Sequence, residues 1–155
     1  MRQSLTLALA AGIAAAPAFA SGDAEKGAAL FSQCQTCHIV QNEAGETLAG
    51  RNARVGPNLY GVLGRQAGSV EGFRYQPSIV EAGNAGLVWD ETELVAYLLN
   101  PVDYLKARLD NPRARSGMSH RVRQEGDAVD LTAFLATFSP APEEEVEGEA
   151  PAATN

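Results

Sequence analysis

The sequence predicts an all-α protein in which four or five helices are joined by long loops. Two observations support this class. Apolar residues recur at helical spacing in separate segments that carry helix-start and helix-stop residues. The long stretch 39–75 is rich in glycine and shows no sustained alternation of apolar and polar residues, so it is expected to form loops and turns without strands.

The first helix is expected to begin at Asp23, which is a typical N-cap residue. One side of this helix carries, at helical spacing, Gly27, Leu30, Phe31 and Cys34. After the loop region, a short helix is predicted over residues 77–82, because Pro77 suits a first helical turn and Gly83 is a typical stop.

A clearer helix is predicted over residues 90–99. Asp90 can cap its start, with Glu93 three residues later as in a capping box, and Asn100-Pro101 ends it. Residues 101–107 are expected to add a turn or two. The last long helix is predicted over residues 124–138.

Both ends of the chain differ in composition from the region between them. Residues 1–20 combine Arg2, a short apolar run and Ala18-Phe19-Ala20, which is the pattern of a secretory signal peptide. Residues 140–155 hold five glutamates and three prolines but no aromatic residue, which predicts a disordered acidic tail. A single domain over residues 21–139 remains.

The chain is acidic, with a formal net charge of −7, but one segment of it is basic. Residues 106–123 contain six Lys and Arg residues and a single acidic residue, Asp110. This distribution argues against nucleic-acid binding and predicts contact with acidic partner surfaces. The expected docking residues are Arg108, Arg113, Arg115, Arg121 and Arg123.

The two cysteines of the chain lie in one motif, CQTCH at residues 34–38. A disulfide between them would close a tiny loop and stabilise little. A thiol oxidoreductase would need a strand before the motif, and a closed zinc site would need a second paired cluster, whereas His120 stands alone. C-x-x-C-H is the spacing of covalent haem attachment, which the export signal also favours.

Haem attachment would give each residue of the motif a role. The thiols of Cys34 and Cys37 would each add to one vinyl group. His38 would bind the iron as neutral imidazole while its other ring nitrogen donates to a backbone carbonyl. Spacing alone leaves two candidates for the opposite side of the iron, Met118 and His120.

From Gly22 to about Phe138, the chain resembles the class I c-type cytochromes, most closely the soluble bacterial carriers of respiratory and photosynthetic chains. The motifs that carry the resemblance are, in order, GDAEKGAALFSQCQTCH, GPNLYGVLGRQAG, GFRY, LVWDETELVAYLLNP, SGM and DLTAFLA. The resemblance implies the cytochrome c fold, wrapped around one covalent haem c. Its first and last helices would cross, with Gly27 and Phe31 meeting Leu131 and Phe134.

The resemblance also implies a set of haem contacts. His38 and Met118 would be the axial ligands of the iron, and the Pro57 carbonyl would accept the His38 proton. The residues near the haem propionates would be Arg65, Tyr75 and Trp89, and Tyr97 would lie near the sulfur of Met118. Arginines stand where mitochondrial members carry lysines around the haem edge.

A Met/His pair leaves the iron no open position, so the resemblance implies an electron carrier and not an enzyme. The expected protein is a periplasmic monomer. It would take electrons from a membrane quinol–cytochrome c oxidoreductase and deliver them to a terminal oxidase or a photosynthetic reaction centre. Two alternatives stay open: a haem enzyme or gas sensor without the Met118 bond, and a thiol oxidoreductase without haem.

Overall fold

The computed structural model describes residues 22–139, so the predicted signal peptide and acidic tail lie outside the described residues. The fold is mostly helix and loop, which confirms the predicted class. The helices are α1 (Ala24–Leu30), which a 3-10 turn at Phe31–Gln33 extends, α2 (Pro77–Asn84), α3 (Glu91–Leu99), α4 (Pro101–Arg108) and α5 (Glu125–Ala136). Within residues 22–139, no helix has the length and apolar character needed to cross a membrane.

Two predicted helix starts are confirmed. The Asp23 side chain accepts a hydrogen bond from the Lys26 N–H at 3.1 Å, and Asp90 accepts one from the Glu93 N–H at 2.7 Å. The capping box at α3 is only half formed, because the Glu93 carboxylate accepts a hydrogen bond from the Tyr104 hydroxyl at 2.6 Å.

Helices α1 and α5 cross where Gly27 is buried. A Cβ at Gly27 would lie 2.0 Å from the Asp130 carbonyl oxygen and 2.7 Å from the Cβ of Phe134, so a larger residue would force the helices apart. The rings of Phe31 and Phe134 pack with centroids 5.4 Å apart, and Leu131 is buried in the same core. This crossing was expected from the family resemblance.

The prediction that residues 39–75 contain no strand is wrong. Strand β1 (Ile39–Gln41) pairs antiparallel with β2 (Thr47–Gly50), and the register shifts between Val40 and Gln41. A turn with Gly45 at φ 81° joins them. Strands of three and four residues are too short to show an alternating pattern, and both Ile39 and Val40 are buried.

Gly83 does not stop α2, contrary to the prediction, and the helix continues to Asn84. A Cβ at Gly83 would lie 2.0 Å from the Ala67 carbonyl oxygen, so this glycine permits close packing against a loop. The left-handed residue that follows the helix is Gly86, with φ 89°.

The last two helices differ slightly in length from their predictions. Helix α4 continues through Arg108, one residue beyond the predicted segment. Helix α5 is shorter than residues 124–138, because the N–H groups of Thr137 and Phe138 donate to carbonyls three positions back, which ends the α-helical pattern.

The loop before α2 is fixed to the segment before α3 by three backbone hydrogen bonds. Gly64 and Ala67 donate to the carbonyls of Trp89 and Leu87 at 2.8 and 2.9 Å, and Trp89 donates to that of Arg65 at 2.9 Å. This short ladder positions Arg65 and Trp89. The fully buried side chains of the surrounding core include Val40, Leu87, Leu105, Leu131 and Thr132.

Candidate cofactor site

His38 is held in one orientation by the turn that contains Gly56 and Pro57. Its Nδ1 lies 2.9 Å from the Pro57 carbonyl oxygen, the contact that the family resemblance implies. A Cβ at Gly56 would lie 2.3 Å from Cε1 of the ring, so only glycine fits against it. With Nδ1–H donating to the carbonyl, Nε2 is the nitrogen that keeps a lone pair for a metal.

The surroundings of His38 favour the neutral imidazole that metals bind. Burial lowers the pKa of His38, the hydrogen bond to Pro57 opposes this in part, and the nearby His120 lowers the pKa further.

Cys34 and Cys37 lie in the turn that follows α1. The N–H groups of Cys37 and His38 both donate to the Cys34 carbonyl, at 3.0 and 2.9 Å, and both thiols are free. Burial raises the pKa of Cys34 to about 11, and the neighbouring Cys37 adds to this shift. Because redox-active cysteine pairs depend on a lowered thiol pKa, this environment argues against a thiol oxidoreductase.

A zinc site of the usual kind also lacks support. Across the described part of the chain, no three side chains of His, Cys, Asp or Glu come together in a group that could hold a metal ion.

Met118 is half-buried in the loop between α4 and α5. Its N–H donates to the Ser116 hydroxyl at 3.0 Å, and that hydroxyl lies 2.9 Å from the Tyr97 hydroxyl. Tyr97 is therefore tied to the Met118 loop through Ser116. Sequence reasoning missed Ser116, although serine hydroxyls commonly accept a hydrogen bond from the backbone N–H two residues later.

Trp89, Tyr97 and Tyr104 form an aromatic trio. The ring centroid of Trp89 lies 5.0 Å from that of Tyr97 and 6.2 Å from that of Tyr104, and the two tyrosine rings are 5.7 Å apart. Sequence reasoning selected Trp89 and Tyr97 but missed Tyr104, because it lies on α4 and reaches the other two only through the packing of α4 against α3.

Arg65 and Tyr75 lie near each other beside the loop of residues 58–65. The Arg65 guanidinium donates to the carbonyls of Tyr60 and Asn58 at 2.7 and 3.0 Å. Burial lowers the pKa of Arg65 while Tyr75 opposes the change, and burial raises the pKa of Tyr75. A guanidinium has five N–H donors, so Arg65 can hold this loop and still donate to a carboxylate.

One long-range hydrogen bond joins the two segments that carry the candidate ligands. His120 Nε2 lies 2.8 Å from Gln33 Oε1, which links the residue before Cys34 to the loop just after Met118. His120 is exposed and is engaged in this contact, which favours Met118 over His120 as the second candidate ligand.

The expected docking arginines divide into two groups. Arg108 lies 3.5 Å from the Glu93 carboxylate in an ion pair. All five are exposed, and the other four surround Met118 in sequence; they are Arg113, Arg115, Arg121 and Arg123. Backbone hydrogen bonds from Arg115 to the Ser78 hydroxyl and from Val122 to the Leu98 carbonyl fix this segment on α2 and α3.

The residues present fit a covalently bound haem c. The free thiols of Cys34 and Cys37 have the attachment spacing, and His38 offers Nε2 to iron from a fixed ring. A thioether is available at Met118. Donors with apolar bodies, suited to buried propionates, are available at Arg65, Tyr75 and Trp89.

Comparison with models of known protein families finds no match. Individual proteins do match. The chain is 56% identical over 118 residues to cytochrome c2 of Rhodovulum adriaticum, covering 76% of this chain and 94% of that protein. It is 45% identical over 139 residues to cytochrome c-551 of Roseobacter denitrificans, covering 90% of this chain and 97% of that protein. The crystal structure of cytochrome c2 from Rhodobacter sphaeroides superposes with a TM-score of 0.76 at 43% identity, covering 79% of this chain and all of that one.

Proposed function

The chain belongs to the class I c-type cytochromes, in the group of the cytochromes c2, and we propose that Cys34, Cys37, His38 and Met118 hold its haem. Members of this family carry one covalent haem c, and this chain is a one-electron carrier that shuttles between membrane complexes of respiratory or photosynthetic chains. Its relatives are electron-carrier cytochromes and not enzymes.

The observation that carries the proposed ligand set is the fixed orientation of His38. Its Nδ1 is engaged by Pro57 and its ring lies against Gly56, so Nε2 is the ring nitrogen left to bind a metal. The bound haem supplies the iron that alternates between Fe(II) and Fe(III). Met118 contributes a soft thioether sulfur, a ligand that favours the reduced state and raises the potential.

Several contacts would help to hold the proposed ligands in place when the haem is bound. Ser116 and Tyr97 hold the Met118 loop, and the Gln33–His120 contact ties that loop to the cysteine segment. With both His38 and Met118 bound to it, the iron would have no open position for a substrate, which supports the role of a carrier without catalytic activity.

The proposal extends to the cellular compartment and the redox partners of the carrier. The carrier works as a periplasmic monomer, takes electrons from a quinol–cytochrome c oxidoreductase, and delivers them to a terminal oxidase or a photosynthetic reaction centre. The export pattern of residues 1–20 supports the compartment. The exposed arginines around Met118 support brief docking on acidic partner surfaces, since charge-steered contacts associate rapidly.

The ligand assignment is tested by visible spectroscopy of purified holoprotein and of the variants Met118→Ala and His120→Ala. We expect a six-coordinate, low-spin spectrum in both oxidation states of the unmodified protein. Met118→Ala should lose the sulfur–iron absorption of the ferric protein and should bind carbon monoxide when reduced, whereas His120→Ala should keep the original spectrum.

An unchanged spectrum in Met118→Ala together with an altered one in His120→Ala would assign the ligand to His120. A colourless mature protein would rule out the haem centre altogether.

A further inference from the structure

Tyr104 and Glu93 form a proton donor–acceptor pair on α4 and α3. The Tyr104 hydroxyl donates to Glu93 Oε2 at 2.6 Å, and Arg108 lies 3.5 Å from the other carboxylate oxygen, Oε1. Arg108 therefore occupies one oxygen of Glu93 while the phenol occupies the other. Charge-assisted bonds of this length between hydroxyl and carboxylate are strong, and they leave the proton only a short distance to move.

Tyr104 is also in ring contact with the interior of the molecule. It packs against both Trp89 and Tyr97, with ring centroids 6.2 and 5.7 Å away. Tyr97 in turn is bonded through Ser116 to the Met118 backbone. Electrons move readily between aromatic rings at such separations, so the aromatic trio links the Met118 loop to Tyr104.

Among the four tyrosines of the chain, all within residues 22–139, Tyr104 is the one whose hydroxyl donates to a carboxylate. Tyr97 is bonded to a serine hydroxyl, which is a poor base. This difference matters because a phenol that loses an electron becomes strongly acidic. Oxidation is therefore easiest where a base already accepts the proton.

We propose that Tyr104 is a second redox-active group of this protein, a phenol that gives up one electron through the aromatic trio while Glu93 takes its proton. The O–H bond of Tyr104 breaks, and its proton forms an O–H bond on Glu93 Oε2. The electron from Tyr104 reduces the one-electron-oxidised ring of Trp89 or Tyr97. The products are a neutral Tyr104 radical and a protonated Glu93. The oxidant is a strong one-electron acceptor, such as a photogenerated ruthenium(III) polypyridyl complex. In this way an oxidising equivalent beside the Met118 loop would move to Tyr104 on α4.

The test is laser photo-oxidation of ferric holoprotein by ruthenium tris-bipyridine with an irreversible electron acceptor. The radical is detected by electron paramagnetic resonance after rapid freezing and by transient absorption. We expect a tyrosyl radical in the unmodified protein that is lost in Tyr104→Phe and kept in Tyr60→Phe. Glu93→Gln keeps a hydrogen-bond acceptor but removes the base, and should slow radical formation on the order of 10²-fold.

The control for the carboxylate substitution is Glu125→Gln, in the first turn of α5, which should leave the rate unchanged. A radical of undiminished yield in Tyr104→Phe would overturn the proposal. An unchanged rate of radical formation in Glu93→Gln would show that Glu93 is not the proton acceptor. Because the readout is the radical itself, either result is distinct from a failure of the haem ligand assignment, which the resting spectrum reports.

Discussion

His38 can occupy its position because Gly56 has no side chain. The proposed iron ligands are recognisable from their chemistry, but each lies against a neighbour with a small or absent side chain: Gly56 beside His38, and Ser116 beside the Met118 backbone. At the scale of residues, the site therefore depends on what lies behind the ligands as much as on the ligands themselves.

Replacement of Gly56 by alanine tests this dependence. The new Cβ would lie 2.3 Å from His38 Cε1, so the ring or the turn must move. We expect Gly56→Ala to lower the free energy of unfolding of the holoprotein by about 1–3 kcal/mol, the usual range for overpacking, and to perturb the ferric spectrum.

Urea unfolding followed by haem absorbance and circular dichroism measures both effects. The matched control is Gly126→Ala on α5, where a Cβ would meet nothing within 4 Å. Equal unfolding free energies and equal ferric spectra in the two variants would show that the Gly56 turn does not restrain His38.

Tyr104 gives a pH-dependent prediction. Burial raises the pKa of Tyr104, the hydrogen bond to Glu93 and its charge raise it further, Arg108 opposes the shift, and Asp90 adds to it slightly. Because the folded pKa lies above the unfolded value of about 10, the stabilisation from this group is complete below about pH 10 and is lost as the pH rises through the folded pKa.

We therefore expect Tyr104→Phe to be less stable than the unmodified protein at neutral pH, by about 1 kcal/mol for the lost hydrogen bond. This difference should shrink as the pH is raised above about 10, where the unfolded tyrosine ionises. Urea unfolding across that pH range measures it, with Tyr60→Phe as the control. A stability difference between the unmodified protein and Tyr104→Phe that grows with pH would contradict a raised pKa of Tyr104 in the folded state.

At the scale of elements, the crossing of α1 and α5 sets the frame of the molecule. Close approach at Gly27 brings Phe31 onto Phe134, and Cys34 follows at the end of the 3-10 turn. The helix that leads into the proposed haem-binding motif is thus positioned by the last helix of the fold.

The Gly27→Ala variant distinguishes the contribution of this packing to stability from that of intrinsic helix propensity. Propensity alone would make alanine more stable than glycine in α1 by about 1 kcal/mol. The structure predicts the opposite sign, because the Cβ would lie 2.0 Å from the Asp130 carbonyl oxygen. We expect a loss of about 1–3 kcal/mol in the free energy of unfolding, measured by urea denaturation.

The exposed Ala28 supplies the reference for propensity, since Ala28→Gly should lose only about 1 kcal/mol. A stabilised Gly27→Ala protein would show that the two helices do not need this close approach.

At the scale of the whole molecule, charge is separated along the chain. The net charge is −7, yet the segment around Met118 presents four exposed arginines and is fixed on α2 and α3 through its backbone. Fixed cationic groups beside a redox centre steer acidic partners and raise association rates.

Charge reversal at Arg115 and Arg121 tests this arrangement. We expect Arg115→Glu and Arg121→Glu each to slow second-order electron transfer with an acidic partner, on the order of 10-fold at low salt, and to flatten its dependence on ionic strength. Stopped-flow kinetics across a salt series measures both quantities.

Lys26→Glu makes the same change in net charge on α1, where Lys26 pairs with Asp23 at 3.1 Å, and should have a much smaller effect. If all three variants slow the reaction equally, net charge and not a local docking surface controls the rate.

The sequence alone was sufficient for the features that depend on local chemistry. Helix starts at Asp23 and Asp90 were predictable because a cap bonds to amides two or three residues away. The spacing of Cys34, Cys37 and His38 likewise predicts a haem attachment motif within five residues, and the family to which the chain belongs carries one covalent haem c.

Tertiary structure decided the features that depend on distant parts of the chain. The Gln33–His120 contact joins residues 87 positions apart, and Tyr104 meets Glu93 only because α4 packs against α3. Gly83 lies inside α2 and does not end it, and its lack of a side chain permits the close approach of the Ala67 carbonyl from a distant loop. No local pattern encodes such contacts, since they form only when separate segments have packed together.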